Sequence, residues 1–125
     1  MSLETTYQAY KDRADFYLIY LKEAHASDSR RPSKKVIIAQ HTTLKERTTA
    51  ANSCVADLKL SMPLLVDDMK NTAGDAFTGH PDRLFILSPD GTIAYRGDRG
   101  PHGFKVDEMK TALDQLLAVQ KETSY

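Results

Sequence analysis

Asp15-Phe16-Tyr17-Leu18-Ile19-Tyr20-Leu21 constrains this chain more than any other stretch. After the aspartate, every residue is aromatic or aliphatic, with no polar alternate. A strand with one solvated face alternates apolar and polar side chains; a strand covered on both faces does not. Residues 15–21 therefore predict a buried strand in a mostly parallel sheet, with helices packed against it. The flanking pattern supplies those helices. Leu3, Tyr7 and Tyr10 share one face of a helix over 3–13. Thr42 or Thr43 can cap a helix over 43–58, Thr43 having the capping-box spacing to Glu46, with Leu44, Ala51, Val55 and Leu58 as the helix stripe. Leu64-Leu65-Val66 reads as a short strand ending on Asp67-Asp68, and a helix over 70–77 follows, with Gly79 past its end. Strands over 83–87 and 92–96 flank Ser88-Pro89-Asp90-Gly91, where proline presets φ and glycine tolerates a positive φ, so they form a hairpin. A last amphipathic helix over 106–120 steps through Val106, Met109, Leu113, Leu116 and Leu117. The order α-β-α-β-α-β-β-α predicts an α/β sandwich with a mixed sheet: parallel crossovers first, then an antiparallel hairpin and a closing helix.

Composition narrows the partners. At 125 residues the chain suits one domain. Lys plus Arg and Asp plus Glu both number 17, a net charge of zero, which argues against nucleic acid and anionic membrane surfaces. The local basic cluster Arg30-Arg31 and Lys34-Lys35 reads as a solvated loop. No apolar run approaches the roughly 20 residues of a membrane span. The polar N-terminus lacks the apolar core of a signal peptide, so a soluble, cytoplasmic chain is the default expectation. Cys54 is the single cysteine, which excludes an intrachain disulfide, a CxxC pair and a four-cysteine zinc site. His25, His41, His80 and His102 show no metal-ligand spacing, and Asp67-Asp68 read as caps of the next helix. No metal or cofactor is expected.

Two loops stand out. Residues 22–35 are polar, long for a connection and contain Pro32; such loops often carry function. Val36-Ile37-Ile38 after it reads as a brief extended segment. Gly97, Gly100 and Gly103 mark the second loop, and their spacing fits backbone turns rather than a dinucleotide fingerprint. Glu23 and His25 follow the strand over 15–21 at its C-terminal end, where α/β sheets place their sites. Two residues apart, they share a face if the strand continues. A carboxylate beside an imidazole brackets neutral pH and moves protons. Phe16, Tyr17 and Tyr20 could stack a phenolic ligand, but read first as sheet-face or core residues. Cys54 lies about three turns into its helix beside Val55, away from the helix N-terminus and cations that stabilise a thiolate, so it reads as a packed, inert thiol.

Ala14-Asp15-Phe16, Ile19-Tyr20 and Glu23-Ala24-His25-Ala26-Ser27-Asp28 resemble the ADF, IY and EAH.SD signature of the iodothyronine deiodinase family. His41, Leu44 and Arg47 resemble its H..L..R segment, and the run from Pro63 to Asn71 its P.VVD.M.N stretch. Pro81-Asp82-Arg83-Leu84 and the run from Tyr95 to Pro101 resemble two more of its segments. The resemblance covers most of residues 10–117. It implies a single thioredoxin-like domain over 1–125, incomplete at its start, where the family has a strand and a selenocysteine or cysteine loop. It implies an oxidoreductase that reduces halogenated phenolic, peroxide or disulfide substrates and is regenerated by an external thiol. Glu23 and His25 would handle protons as catalytic residues. His41 would contact the ligand, Arg99 would clamp a substrate carboxylate, and Pro81 would be a cis proline facing the active site. Strand edges left by the absent strand would pair with each other or with a second copy, giving a homodimer. The other reading is a non-catalytic binding or assembly module on the same scaffold.

Overall fold

A computed structural model describes residues 2–23 and 40–123. The mixed α/β chain runs α1 (Leu3–Tyr10), β1 (Leu18–Tyr20), α2 (Leu44–Asp57), β2 (Leu64–Val66), α3 (Thr72–Phe77), β3 (Phe85–Leu87), β4 (Ile93–Arg96) and α4 (Val106–Thr123). This is the element order expected from the sequence. Most of the loop over 22–35, its basic cluster and Val36-Ile37-Ile38 lie outside the described residues. Two compact units divide the chain: residues 1–15 with 82–125, and residues 16–81.

The unit made of the two ends contains α1, the β3–β4 hairpin and α4. Ser2 caps α1 by accepting from the Thr5 N–H at 3.1 Å. The helix stops at Tyr10, shorter than 3–13, and its buried positions are Thr6 and Tyr10. Tyr10 donates its hydroxyl to Asp114 of α4, and Lys110 reaches the same carboxylate at 3.0 Å. In the hairpin, Phe85 faces Arg96 and Ile86 faces Tyr95, but Leu87 faces Ile93. Ala94 is therefore an extra residue, a bulge. Gly91 closes the turn with φ +88°, as its position predicted. Ser88 N–H donates to the Thr92 carbonyl at 2.8 Å. α4 packs on both strands and on α1, burying Met109 and Leu113. The glycine-rich loop folds back on its own backbone. A Cβ on Gly103 would sit 2.5 Å from the Asp98 carbonyl carbon, so close approach explains this glycine.

The unit over 16–81 contains β1, α2, β2 and α3. β1 and β2 are parallel, with Leu18 opposite Leu64, Ile19 opposite Leu65 and Tyr20 opposite Val66. Among the described residues the hydrogen-bonded sheets are two, β1–β2 and β3–β4. The expectation of a strand over 15–21 covered on both faces is corrected. The ladder is confined to Leu18–Tyr20, Tyr17 is 62% exposed, and Ile19 and Leu65 share an exposed face. Only alternate residues of this short strand are sequestered, so its apolar run overstated its cover. The helical stripe of α2 is corrected too. Leu44 and Leu58 are exposed, and the buried positions are Arg47 and Ala51, with Cys54 and Val55 half-buried. The left-handed residue after α3 is Thr78, one position before the expected Gly79.

Candidate functional site

Among the described residues of 16–81, polar side chains are buried as well as apolar ones. His41, Arg47 and Asp67 are buried alongside Ala51 and Met62. Buried polar groups are tolerated only when hydrogen-bonded, so the partners of these three define the site.

Glu23 stands three residues after Tyr20, at the C-terminal end of β1. The Gln40 amide fixes its backbone in both directions. Glu23 N–H donates to Gln40 Oε1 at 3.1 Å, and Gln40 Nε2 donates to the Glu23 carbonyl at 3.1 Å. The Tyr20 hydroxyl donates to Glu23 Oε1. This fixes both ends of the residue, so the carboxylate has a defined direction.

His41 precedes α2 and lies across from that carboxylate, with Nε2 3.9 Å from Glu23 Oε1. Its ring tilts against the Tyr20 ring, with centroids 5.7 Å apart. The other nitrogen, Nδ1, accepts from Arg47 Nε at 3.2 Å. Arginine Nε is only ever a donor, so Nδ1 offers a lone pair and the ring proton sits on Nε2. Burial holds the His41 pKa below its ordinary 6.5, and the neighbouring Arg47 charge lowers it further, against an opposing pull from Glu46. The neutral Nε2–H has no hydrogen-bond partner among the described residues. At 3.9 Å it is too far to bond to Glu23 directly. Donor and acceptor thus face each other across a gap that a small polar group on a ligand can bridge.

The neutral histidine has a pH consequence. The unfolded chain takes up a proton at His41 near pH 6.5, while the folded chain takes it up only at lower pH. Between those values the unfolded state binds more protons, so stability falls as pH falls. Urea midpoints are expected to drop from pH 7.5 to 5.5 more in the wild-type chain than in His41→Gln. Equal slopes would contradict a neutral, buried His41.

Supporting residues close the arrangement. Arg47 Nη1 donates to the Asp68 carbonyl at 2.7 Å and to Asn71 Oδ1 at 3.0 Å. Asp67 and Asp68 act as caps of α3, as their place at the strand end suggested. Asp67 accepts from Ala73 and Gly74 N–H, and Asp68 from the Thr72 N–H, each at 2.9 Å. Thr43 caps α2, while the Glu46 carboxylate returns to Thr42, N–H and hydroxyl alike. Among the described residues no three His, Cys, Asp or Glu side chains gather to hold a metal ion.

The other sequence candidates are placed as follows. His25 lies outside the described residues. The His80–Pro81 bond is cis, and so is Gly100–Pro101, which the sequence did not suggest. Arg99 is exposed in the glycine-rich loop, where its carbonyl accepts from Gly103 N–H at 3.1 Å. Cys54 is half-buried, and burial pushes its thiol pKa up, helped by the charges of Glu23 and Asp57. That is the opposite of an activated thiolate. Sequence reasoning missed Gln40 and Asn71 as site residues, and weighed Tyr20 for ring stacking rather than for its hydroxyl. Arg47 had a legible signal, since it stands four residues before Ala51 in the buried stripe of α2.

Comparison with known proteins bears on this geometry. The iodothyronine deiodinase family model matches residues 3–117. Thyroxine 5-deiodinase of Gallus gallus is 37% identical over 105 residues, covering 83% of this chain and 40% of that protein. Type I iodothyronine deiodinase of Xenopus laevis is 35% identical over 102 residues, 82% of this chain and 40% of that protein. Thyroxine 5-deiodinase of Homo sapiens is 36% identical over 110 residues, 85% of this chain and 34% of that protein. The chain thus spans 40% or less of the length of these relatives. No helix among the described residues is long and apolar enough to cross a membrane. With a family match over nearly its whole length, this chain belongs to the iodothyronine deiodinase family.

Proposed function

We propose that this chain supplies the substrate-holding and proton-handling part of a reductive dehalogenation of iodinated phenols, on a single thioredoxin-like domain. The observation that carries the reading is the uncharged His41 Nε2–H facing the Glu23 carboxylate across 3.9 Å, with Tyr20 bonded to the same oxygen. A phenolic oxygen accepts from an imidazole N–H and donates to a carboxylate, so one hydroxyl satisfies both. Family membership favours this over a purely structural assembly module.

The chemistry divides into two balanced steps. A selenolate or thiolate takes iodine from the ring; the carbon–iodine electron pair stays on carbon, which accepts a proton, and a chalcogen–iodine bond forms. Two external thiols then reduce that bond, releasing iodide, a disulfide, the free chalcogenolate and two protons. Glu23 is the proposed proton carrier for the carbon, with His25 beside it in sequence. His41 holds the phenol. The resemblance further proposes Arg99 as a clamp for a substrate carboxylate and Pro81 as the active-site proline. The relatives' activity toward thyroxine supports an iodinated aromatic substrate. The raised pKa and mid-helix place of Cys54 argue against it as the nucleophile.

Equilibrium dialysis against 2,6-diiodophenol tests the binding half. The wild-type chain is expected to retain the probe, and His41→Phe to weaken retention about tenfold, the value of one lost hydrogen bond in a shielded site. Retention unchanged in His41→Phe would place the phenol elsewhere.

A further inference from the structure

We propose that Arg47 is a positioning residue for His41: its Nε–H holds the imidazole as the neutral Nε2–H form and aims that N–H toward Glu23. The inference rests on the reading of His41 as a donor in the site above. It is tested on the ring nitrogens of the ligand-free chain, so its failure is distinct from a failure to bind or dehalogenate a phenol.

Arg47 is 2% exposed, and its acceptors among the described residues are uncharged: His41 Nδ1, the Asp68 carbonyl and Asn71 Oδ1. A buried guanidinium held by neutral acceptors is a costly way to fill space. Its geometry gives it a use. The guanidinium is a rigid planar fork, so fixing Nη1 also fixes the direction of Nε. Two acceptors fix Nη1, and both belong to the turn that opens α3. Asn71 takes a left-handed backbone conformation, φ 60°, and makes no side-chain cap to α3, which leaves its amide oxygen for Arg47. Asp67 and Asp68 do the capping instead. The start of α3 therefore serves as an anchor for a side chain of α2, which sets the proton position on a ring ahead of α2.

Among the described residues, the groups facing His41 are Tyr20 and Glu23 from the β1 side, and Glu46 and Arg47 from α2. Two are carboxylates and favour a charged ring. Without the Arg47 N–H, Nδ1 becomes free to take a proton, either as the other neutral tautomer or as the cation. Lysine does not reproduce the effect, because an ammonium on a flexible stem has no fixed second donor.

Long-range proton–nitrogen correlation spectra of the nitrogen-15-labelled chain test this, with His41→Gln assigning the signals. At pH 7 the wild-type His41 is expected to show an unprotonated Nδ1 and a protonated Nε2. Arg47→Met is expected to populate the Nδ1–H tautomer and to move the His41 titration midpoint up, while burial still holds it below the ordinary value. Asn71→Gly, which keeps the left-handed backbone and removes the anchor, is expected to shift both in the same direction by less. If Arg47→Met does not fold, Arg47→Lys and Asn71→Gly carry the comparison. A wild-type His41 protonated at Nδ1 would overturn the proposal. So would a His41 tautomer and midpoint indifferent to every one of these variants that folds.

Discussion

Asp67→Ala is expected to lower the unfolding free energy by about 3 kcal/mol, read as a shift in urea midpoint at unchanged slope. Three backbone N–H groups converge on this buried carboxylate, from Asp68, Ala73 and Gly74, each at 2.9 Å. Two of them are donors in the first turn of α3, which no preceding helical carbonyl satisfies. The residue at the N-cap position, Asn71, gives α3 no side-chain hydrogen bond, so no other cap backs Asp67 up at Ala73 and Gly74. Alanine would leave buried donors unmet, each at a cost of about 1–3 kcal/mol, and would release the turn that anchors Arg47. A loss below about 1 kcal/mol would mean that water replaces the carboxylate readily, and that the segment is far looser than its hydrogen bonds imply.

Leu113→Ala is expected to cost about 3 kcal/mol, within the range for a truncated buried leucine. Leu113 is 5% exposed on the inner face of α4, one turn after the equally buried Met109. That face covers the β3–β4 hairpin and meets α1. The flanking Asp114 is tied to Tyr10 and Lys110, which restrains α4 from sliding to fill the gap. A residual cavity then adds to the lost transfer energy. Leu87 and Ile93, both exposed on the hairpin, provide the comparison: alanine there is expected to cost under about 1 kcal/mol. Equal losses at Leu113 and Leu87 would contradict the packing of this helix.

How far the sequence could be read depended on whether local chemistry decided the outcome. The hairpin turn at Ser88–Gly91 was legible because proline and a positive-φ glycine act within four residues. The start of α2 was legible because Thr43 caps it directly. α4 was legible because its apolar stripe sets the buried positions Met109 and Leu113. β1 was not, since its apolar run says nothing about whether anything lies over Tyr17 and Ile19. The stripe of α2 misled because its largest buried side chain is an arginine, and hydropathy treats arginine as surface. Glu23 and His41 were visible as candidates from their residue types and the family resemblance. The parts that make them a unit were not. Tyr20 looked like core, and Gln40, Arg47 and Asn71 act through hydrogen bonds between segments distant in sequence, which no local pattern encodes.

In the proposed function Tyr20, Glu23 and His41 hold the substrate and handle protons, while Cys54 takes no part in electron transfer. Iodide release from 2,6-diiodophenol by the 125-residue chain with excess dithiothreitol tests that separation most directly. The expected result is iodide at the rate of dithiothreitol alone, the same in wild type and Cys54→Ser, under conditions where the wild-type chain retains the probe. Release above that background, lost in Cys54→Ser, would contradict it and make Cys54 the reacting thiol.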